Sequence, residues 1–205
     1  MRVESGGAMP LLDLHLQRVQ RSCDALGHVW PGEAAIRKRL SQILPTLDSA
    51  RIWRARLLLS PNGAFEVEHS PLERLAEPVS VIVTGPRQGG AATWLRHKTT
   101  HRPWYVQATQ WLAEHPDVFD VLYWNDEGDM CEGSRSNLYM QAADGRWLTP
   151  PLATGALPGV QRQALLQAGL AHEAAISRDE FLNARAWRIS NALRGWLDAR
   201  PVSGQ

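Results

Sequence analysis

The sequence predicts an α+β protein built as two domains. Three features carry that expectation. Segments with helical apolar spacing are interspersed with β-branched or alternating segments, without the regular strand–helix alternation of a doubly wound sheet. Short turn clusters join strand pairs as hairpins. A Gly- and Pro-rich stretch, Gly85-Pro86-Arg87-Gln88-Gly89-Gly90, interrupts the chain before its middle. A small N-terminal α/β domain is expected over residues 1–87, and a larger C-terminal mixed β/α domain over residues 88–205.

The first helix is expected over Asp13 to Gly27, where Leu12, Leu16, Val19, Cys23 and Leu26 recur at helical spacing and Gly27 ends the run. Gly32 to Leu44 reads as a second helix, with Ile36, Leu40, Ile43 and Leu44 on one face and Pro45 after it. Strands at Arg54 to Leu59 and Phe65 to His69 flank the turn Ser60-Pro61-Asn62-Gly63. Val79 to Thr84 is a β-branched strand. Beyond the linker, Pro103 to His115 reads as a helix, and Phe119 to Trp124 as a strand followed by the turn Asn125-Asp126-Glu127-Gly128. Strands follow at Ser136 to Ala142 and Arg146 to Thr149. Pro158 to Gly169 reads as a helix with an early Pro and a closing Gly. Arg185 to Ser190 is a late strand.

Composition narrows the function. With 205 residues the chain buries a real core. A formal net charge of +1 gives no electrostatic case for nucleic acid. No apolar run approaches membrane-spanning length and no leader peptide opens the chain, so a cytoplasmic protein is expected. The two cysteines, Cys23 and Cys131, stand too far apart in sequence to suggest a site. The linker lacks the Gly-Lys-Ser/Thr ending of a phosphate loop. His97 and His101 are four apart, but no acidic partner is near and Pro103 interrupts a regular helix, so no metal is expected.

Lys98 stands out. Of 22 Lys plus Arg, two are lysines, Lys38 and Lys98. Lys38 sits among arginines on a polar helix face. Lys98 sits where an apolar run ends, in Leu95-Arg96-His97-Lys98-Thr99-Thr100. A lysine kept in an arginine background suggests a task that Arg cannot perform, and Schiff-base formation is the plainest one.

Three later segments are candidates for a site. Glu132-Gly133-Ser134-Arg135-Ser136-Asn137-Leu138 could place one charge and several donors at a ligand, though taken alone it reads better as a solvated loop. Gly155-Ala156-Leu157-Pro158-Gly159-Val160-Gln161 leads into a helix whose first amides are available to an anion, as at any helix start. Ile189-Ser190-Asn191-Ala192-Leu193-Arg194-Gly195 is a polar turn after a strand.

Taken in this order, Lys98, Glu132-Gly-Ser, Leu157-Pro-Gly and Ser190-Asn191-Ala192 resemble fold-type IV pyridoxal-phosphate enzymes, the class IV aminotransferase family, and are closest to its aminodeoxychorismate lyase branch. Leu11-Leu12-Asp13-Leu14-His15-Leu16-Gln17-Arg18 resembles the family's first helix, so the likeness spans nearly the whole chain.

The resemblance implies pyridoxal 5'-phosphate as cofactor, a two-domain D-amino acid aminotransferase-like fold, a homodimer and a small amino substrate. Lys98 is then the catalytic residue that carries the cofactor. Glu132 faces the pyridine nitrogen, Arg18 binds the phosphate, Leu157 packs on the ring, and Gly159, Val160 and Gln161 form the phosphate-binding helix start. Ser190 and Asn191 form the last phosphate-side turn, and Ser134 and Ser136 make minor contacts. Arg102, Tyr105 and Arg194 are candidates for the substrate side. Two departures stand out. Gln161 occupies a position where many relatives carry Thr. Met1-Arg2-Val3-Glu4 opens the chain at a stretch that in relatives follows an earlier strand, so a first family strand is expected to be missing. The implied reaction is conversion of 4-amino-4-deoxychorismate to 4-aminobenzoate and pyruvate. An aminotransferase for branched-chain or D-amino acids and a non-catalytic cofactor-binding homologue are the alternatives.

Overall fold

The computed structural model describes residues 1–87 and 90–202, which form two compact units divided between Arg74 and Leu75.

The first unit opens with β1 (Arg2–Val3), then α1 (Leu12–Leu26), α2 (Glu33–Ile43), a 3-10 turn at Leu44–Thr46, β2 (Trp53–Leu59) and β3 (Phe65–Pro71). The three strands form an antiparallel sheet in the order β1-β2-β3. α1 ends as expected at Gly27, whose φ of 68° is open to glycine at little cost, and the Gly27 N–H returns to the Cys23 carbonyl. α2 buries Ile36, Leu40 and Ile43, spaced i, i+4 and i+7. These side chains meet Val3, Leu16, Ala55 and Val67 in a single core, so the helical stripe and the inward face of the hairpin bury one another. Arg2 and Val3 pair with Arg54 and Trp53 and form the short edge strand of this sheet.

The second unit contains β4 (Val79–Pro86), α3 (Ala92–Leu95), a 3-10 turn at Pro103–Tyr105, α4 (Val106–Glu114), β5 (Val118–Trp124), β6 (Met130–Gly133), β7 (Asn137–Gln141) and β8 (Trp147–Thr149). A 3-10 turn at Leu152–Thr154, α5 (Val160–Gln167), β9 (His172–Glu173), α6 (Arg178–Leu182), β10 (Trp187–Asn191) and β11 (Gly195–Pro201) complete it. Eight strands form one mixed sheet in the order β6-β5-β4-β11-β10-β7-β8-β9. β4 runs parallel to both β5 and β11, and the remaining pairs except β8–β9 are antiparallel. The main core packs Val81, Leu122, Met130, Leu138, Ile176, Phe181 and Ile189, all essentially without exposure.

The unit boundary differs from the one drawn at residue 87. β4 lies within the second unit because its backbone is hydrogen-bonded to β5 and β11, so Gly85 and Pro86 end a strand of that unit. Of the Gly- and Pro-rich stretch, Gln88 and Gly89 lie outside the described residues. The parallel β4–β5 connection through α3 and α4 is also a local strand–helix–strand unit that the hairpin-dominated sequence pattern concealed.

Two elements differ from expectation in ways that matter for the site. Glu132, read as part of a loop, lies in β6, which pairs with β5. The helix expected from Pro103 to His115 begins as a 3-10 turn, and Tyr105 stands at the junction with α4. Among the described residues no helix is long and apolar enough to cross a membrane.

Candidate active site

Glu132 is the centre of the site. β6 carries it into the interior, where it is 3% exposed. Isolated burial of a carboxylate is costly unless hydrogen bonds and opposite charge compensate it. Here both are present. Oε1 accepts the Tyr105 hydroxyl at 2.7 Å, and Oε2 accepts the Leu157 N–H at 3.0 Å. The Arg102 guanidinium lies 3.9 Å from Oε1. Burial pushes the Glu132 carboxyl above its usual range, while Arg102, Tyr105, the Leu157 amide and Lys98 pull it back. Lys98 therefore acts electrostatically on Glu132, although 34 residues separate them in sequence. Lys98 itself is solvent-exposed, between α3 and the Pro103–Tyr105 turn.

Tyr105 and Arg102 differ in role from the substrate contacts expected of them. Tyr105 is 2% exposed, and its hydroxyl is committed to Glu132. Burial, then the neighbouring carboxylate, pushes that phenol well above its ordinary value, so it stays a donor. Arg102 donates to the Ser134 carbonyl at 3.0 Å and stacks over the Tyr105 ring at 4.5 Å. Both side chains thus hold Glu132 and its strand.

Ser134 and Ser136, expected as minor cofactor contacts, turn instead toward a second buried carboxylate. Asp120 on β5 is wholly buried and accepts the Ser134 hydroxyl at 2.7 Å and the Ser136 hydroxyl at 2.5 Å. It also accepts the Val121 and Arg135 amides. Burial raises the Asp120 carboxyl, and the two serine bonds oppose that rise. Gly133 is required between them: a Cβ there would stand 2.1 Å from Asp120 Oδ2. This cluster fixes the turn that leaves Glu132 for β7.

The remaining candidates frame the same region. Asn137 donates to the Leu157 carbonyl at 2.9 Å, and Gly159 lacks the Cβ that would stand 2.0 Å from Asn137 Oδ1. Close approach of these two segments sets the start of α5, whose first residues are Val160 and Gln161 and which carries no side-chain cap. The Ser190 hydroxyl pairs with Tyr139 at 2.7 Å. Asn191 closes its own turn by accepting the Leu193 and Arg194 amides, and its amide group reaches the Arg135 carbonyl at 3.3 Å. Hydrogen bonds thus connect the 134–137 segment to both Leu157 and Asn191.

Sequence reasoning missed Asp120, Asn137 and Tyr139. Asp120 had a signal, as the one charge inside Val118-Phe119-Asp120-Val121-Leu122-Tyr123-Trp124. Cys131 is buried and its thiol is pushed up to about 12 by burial, which leaves it protonated and inert. Among the described residues no group of three or more His, Cys, Asp or Glu could hold a metal ion.

The architecture is that of the fold-type IV transaminases. The family model for amino-transferase class IV matches residues 1–202, and the chain belongs to that family and is an enzyme of it. A curated relative from Schizosaccharomyces pombe, "Putative aminodeoxychorismate lyase", is 30% identical over 92% of this chain and 82% of its own length. The structure of a "Putative amino-acid aminotransferase" from Mesorhizobium loti is 34% identical, covers 98% of this chain and 97% of that one, and superposes with a TM-score of 0.86. The PLP-bound form of a hypothetical aminotransferase from Mycobacterium tuberculosis shares the fold at 19% identity, with a TM-score of 0.78 over 99% of this chain and 79% of that one.

In the first unit, Arg18 lies on α1 one turn after His15. His15 is 7% exposed, its Nε2 has no partner among the described residues, and burial together with Arg18 lowers its pKa to about 2. The unfolded chain takes up a proton below about pH 6.5, while the folded ring does not, so stability is lost as pH falls through that value. Chemical unfolding at pH 6.5 and pH 5 is expected to show a wild-type loss larger than that of His15→Leu by about 2 kcal/mol.

Proposed function

We propose that this protein is a pyridoxal-phosphate-dependent lyase that converts 4-amino-4-deoxychorismate to 4-aminobenzoate and pyruvate. The observation that carries the reading is the buried Glu132 carboxylate, held by Tyr105 and the Leu157 amide within the field of Lys98.

The residues present fit the cofactor. An ionised carboxylate has about four lone-pair positions. Tyr105 and Leu157 each use one, which leaves Glu132 capacity for a protonated pyridine nitrogen. Lys98 would carry the aldehyde, and the uncapped amides at Val160 and Gln161 would receive phosphate at a helix start. Gly159 and Leu157 would shape the ring side of that loop, with Ser190 and Asn191 closing it. Arg18 is assigned to phosphate on the family pattern. Bound pyridoxal phosphate supplies an electron sink for the pair left when a proton leaves the substrate.

The chain's own residues do the rest. Glu132 would present its negative charge to the pyridine nitrogen, and Tyr105 and the Leu157 N–H keep the carboxylate oriented. The Lys98 amine would take the proton from the substrate carbon that bears the amine. Loss of the enolpyruvyl C–O bond then aromatises the ring. The elimination balances without an oxidant: one substrate gives one 4-aminobenzoate and one pyruvate. Folate synthesis in the cytoplasm and a homodimeric assembly belong to the same proposal.

The similarity to the Mesorhizobium loti protein favours a second reading, an aminotransferase with the same cofactor and a different fate for the proton. Purified protein given aminodeoxychorismate distinguishes them. Pyruvate release in step with 4-aminobenzoate supports the lyase. No pyruvate, together with amino transfer to a keto acid, supports the aminotransferase and rejects the lyase. Borohydride reduction and peptide mapping should place a pyridoxyl group on Lys98, and Lys98→Ala should lose the visible band; a label elsewhere would contradict the assignment.

Tyr105→Phe removes the hydroxyl from Glu132. The expected result is a kcat lowered about tenfold with KM nearly unchanged. The acid limb of the rate profile should move to higher pH, because a lost hydrogen bond to a carboxylate raises its pKa. An unshifted pH profile would show that Tyr105 only fills space.

A further inference from the structure

β7 starts at Asn137, immediately after the serine turn that leaves Glu132. Side chains two apart on a strand share a face, so Asn137 and Tyr139 stand on the same side of β7. Asn137 is 5% exposed and Tyr139 is fully buried. Each carries a polar group into the interior, where it needs a partner. Each finds that partner on a different loop. The Asn137 amide donates to the Leu157 carbonyl at 2.9 Å, and the Tyr139 hydroxyl lies 2.7 Å from the Ser190 hydroxyl.

Those two loops are the ones assigned above to the phosphate end of the cofactor. Leu157 is held from three directions. Its N–H donates to Glu132 at 3.0 Å, and its carbonyl accepts both the Asn137 amide and the Gly159 N–H, the latter at 2.7 Å. The loop is thus tied to the carboxylate at Leu157 and enters the uncapped start of α5 three residues later. A Cβ at Gly159 would stand 2.0 Å from Asn137 Oδ1, so the loop and the Asn137 side chain meet without slack.

The Ser190 side is built on the same strand. Ser190 is the register partner of Asn137 across the β7–β10 ladder. Burial raises the Tyr139 phenol, so it stays protonated. A phenol is the stronger acid of the two hydroxyls and is the natural donor, which leaves the serine proton to turn toward an anion. Neither Asn137 nor Tyr139 is itself assigned to the cofactor. Both act through residues that are.

We propose that Asn137 and Tyr139 are positioning residues, two posts on one face of β7 that set the spacing between the α5 start and the Ser190 turn and so create the preference for a phosphorylated cofactor. The proposal rests on the cofactor assignment above but not on the choice between lyase and aminotransferase, because both use the same cofactor.

Titration of the full chain, freed of cofactor, with pyridoxal phosphate and with pyridoxal tests the pair. The two ligands differ in the phosphate, so the ratio of their affinities isolates that end. The wild type should favour pyridoxal phosphate by about a hundredfold or more, since charge-assisted hydrogen bonds contribute about tenfold each. Tyr139→Phe removes one oxygen, and Asn137→Leu keeps the shape without the donor; each should lower the ratio about tenfold. Saturated with pyridoxal, both variants should keep the wild-type visible band and take a pyridoxyl group on Lys98 after borohydride. Side chains that only support the fold would lower the melting temperature and leave the ratio unchanged. Asn137→Ala serves if the Leu variant does not fold. A wild type without the preference, or a Tyr139 or Asn137 variant with the full ratio, overturns the pair. Absence of the Lys98 label in the wild type would overturn the cofactor assignment itself, and the pair with it.

Discussion

A carboxylate inside a protein is stable only where the surroundings replace the water it has lost, and the second unit is organised around meeting that demand at Glu132. Its two oxygens are met by a phenol from the start of α4 and by a backbone amide from the loop before α5. Those two donors belong to segments far apart in sequence. Bringing them to one strand fixes the approach of α4, β6 and the Leu157 loop together. Arg102 adds charge without closing into a tight pair, since it stands 3.9 Å away. The carboxylate is therefore oriented while acceptor capacity remains for another donor.

Asp120 does the corresponding work one strand over. Its bonds to Ser134, Ser136 and two backbone amides hold the turn after Glu132. Partial satisfaction of such a network is costly in a low-dielectric interior, so its members stand or fall together. Gly133 and Gly159 allow the approach, because a Cβ on either would overlap a polar side chain already in place. The rigidity around Glu132 thus comes from polar groups and missing Cβ atoms as much as from the apolar core behind them.

The helices of the first unit were legible because their apolar spacing is regular and their ends are marked by Gly27 and Pro45. The α5 start was legible for the same reason. β6 was not, since four residues containing a charge and a glycine carry no readable period. The domain boundary was misplaced because a Gly-Pro run marks any loop, and only strand pairing shows which sheet owns β4. Lys98 and Glu132 were singled out through residue type and order. Tyr105 and the two serines were found as members of the region but given other partners, because a hydroxyl's direction depends on tertiary packing that local sequence does not encode. Asp120 was readable as an oddity, a charge in an apolar strand. Its partners are long-range, and that kept its role hidden.

The central claim is that Glu132 is held ionised to keep a pyridine nitrogen protonated. The most direct measurement is the nitrogen NMR shift of pyridoxal phosphate labelled with nitrogen-15 at the ring position and bound to the purified protein. The account predicts a protonated ring nitrogen at neutral pH in the wild type and an unprotonated one in Glu132→Ala. A neutral ring nitrogen in the wild type, or a protonated one that survives the substitution, would contradict it.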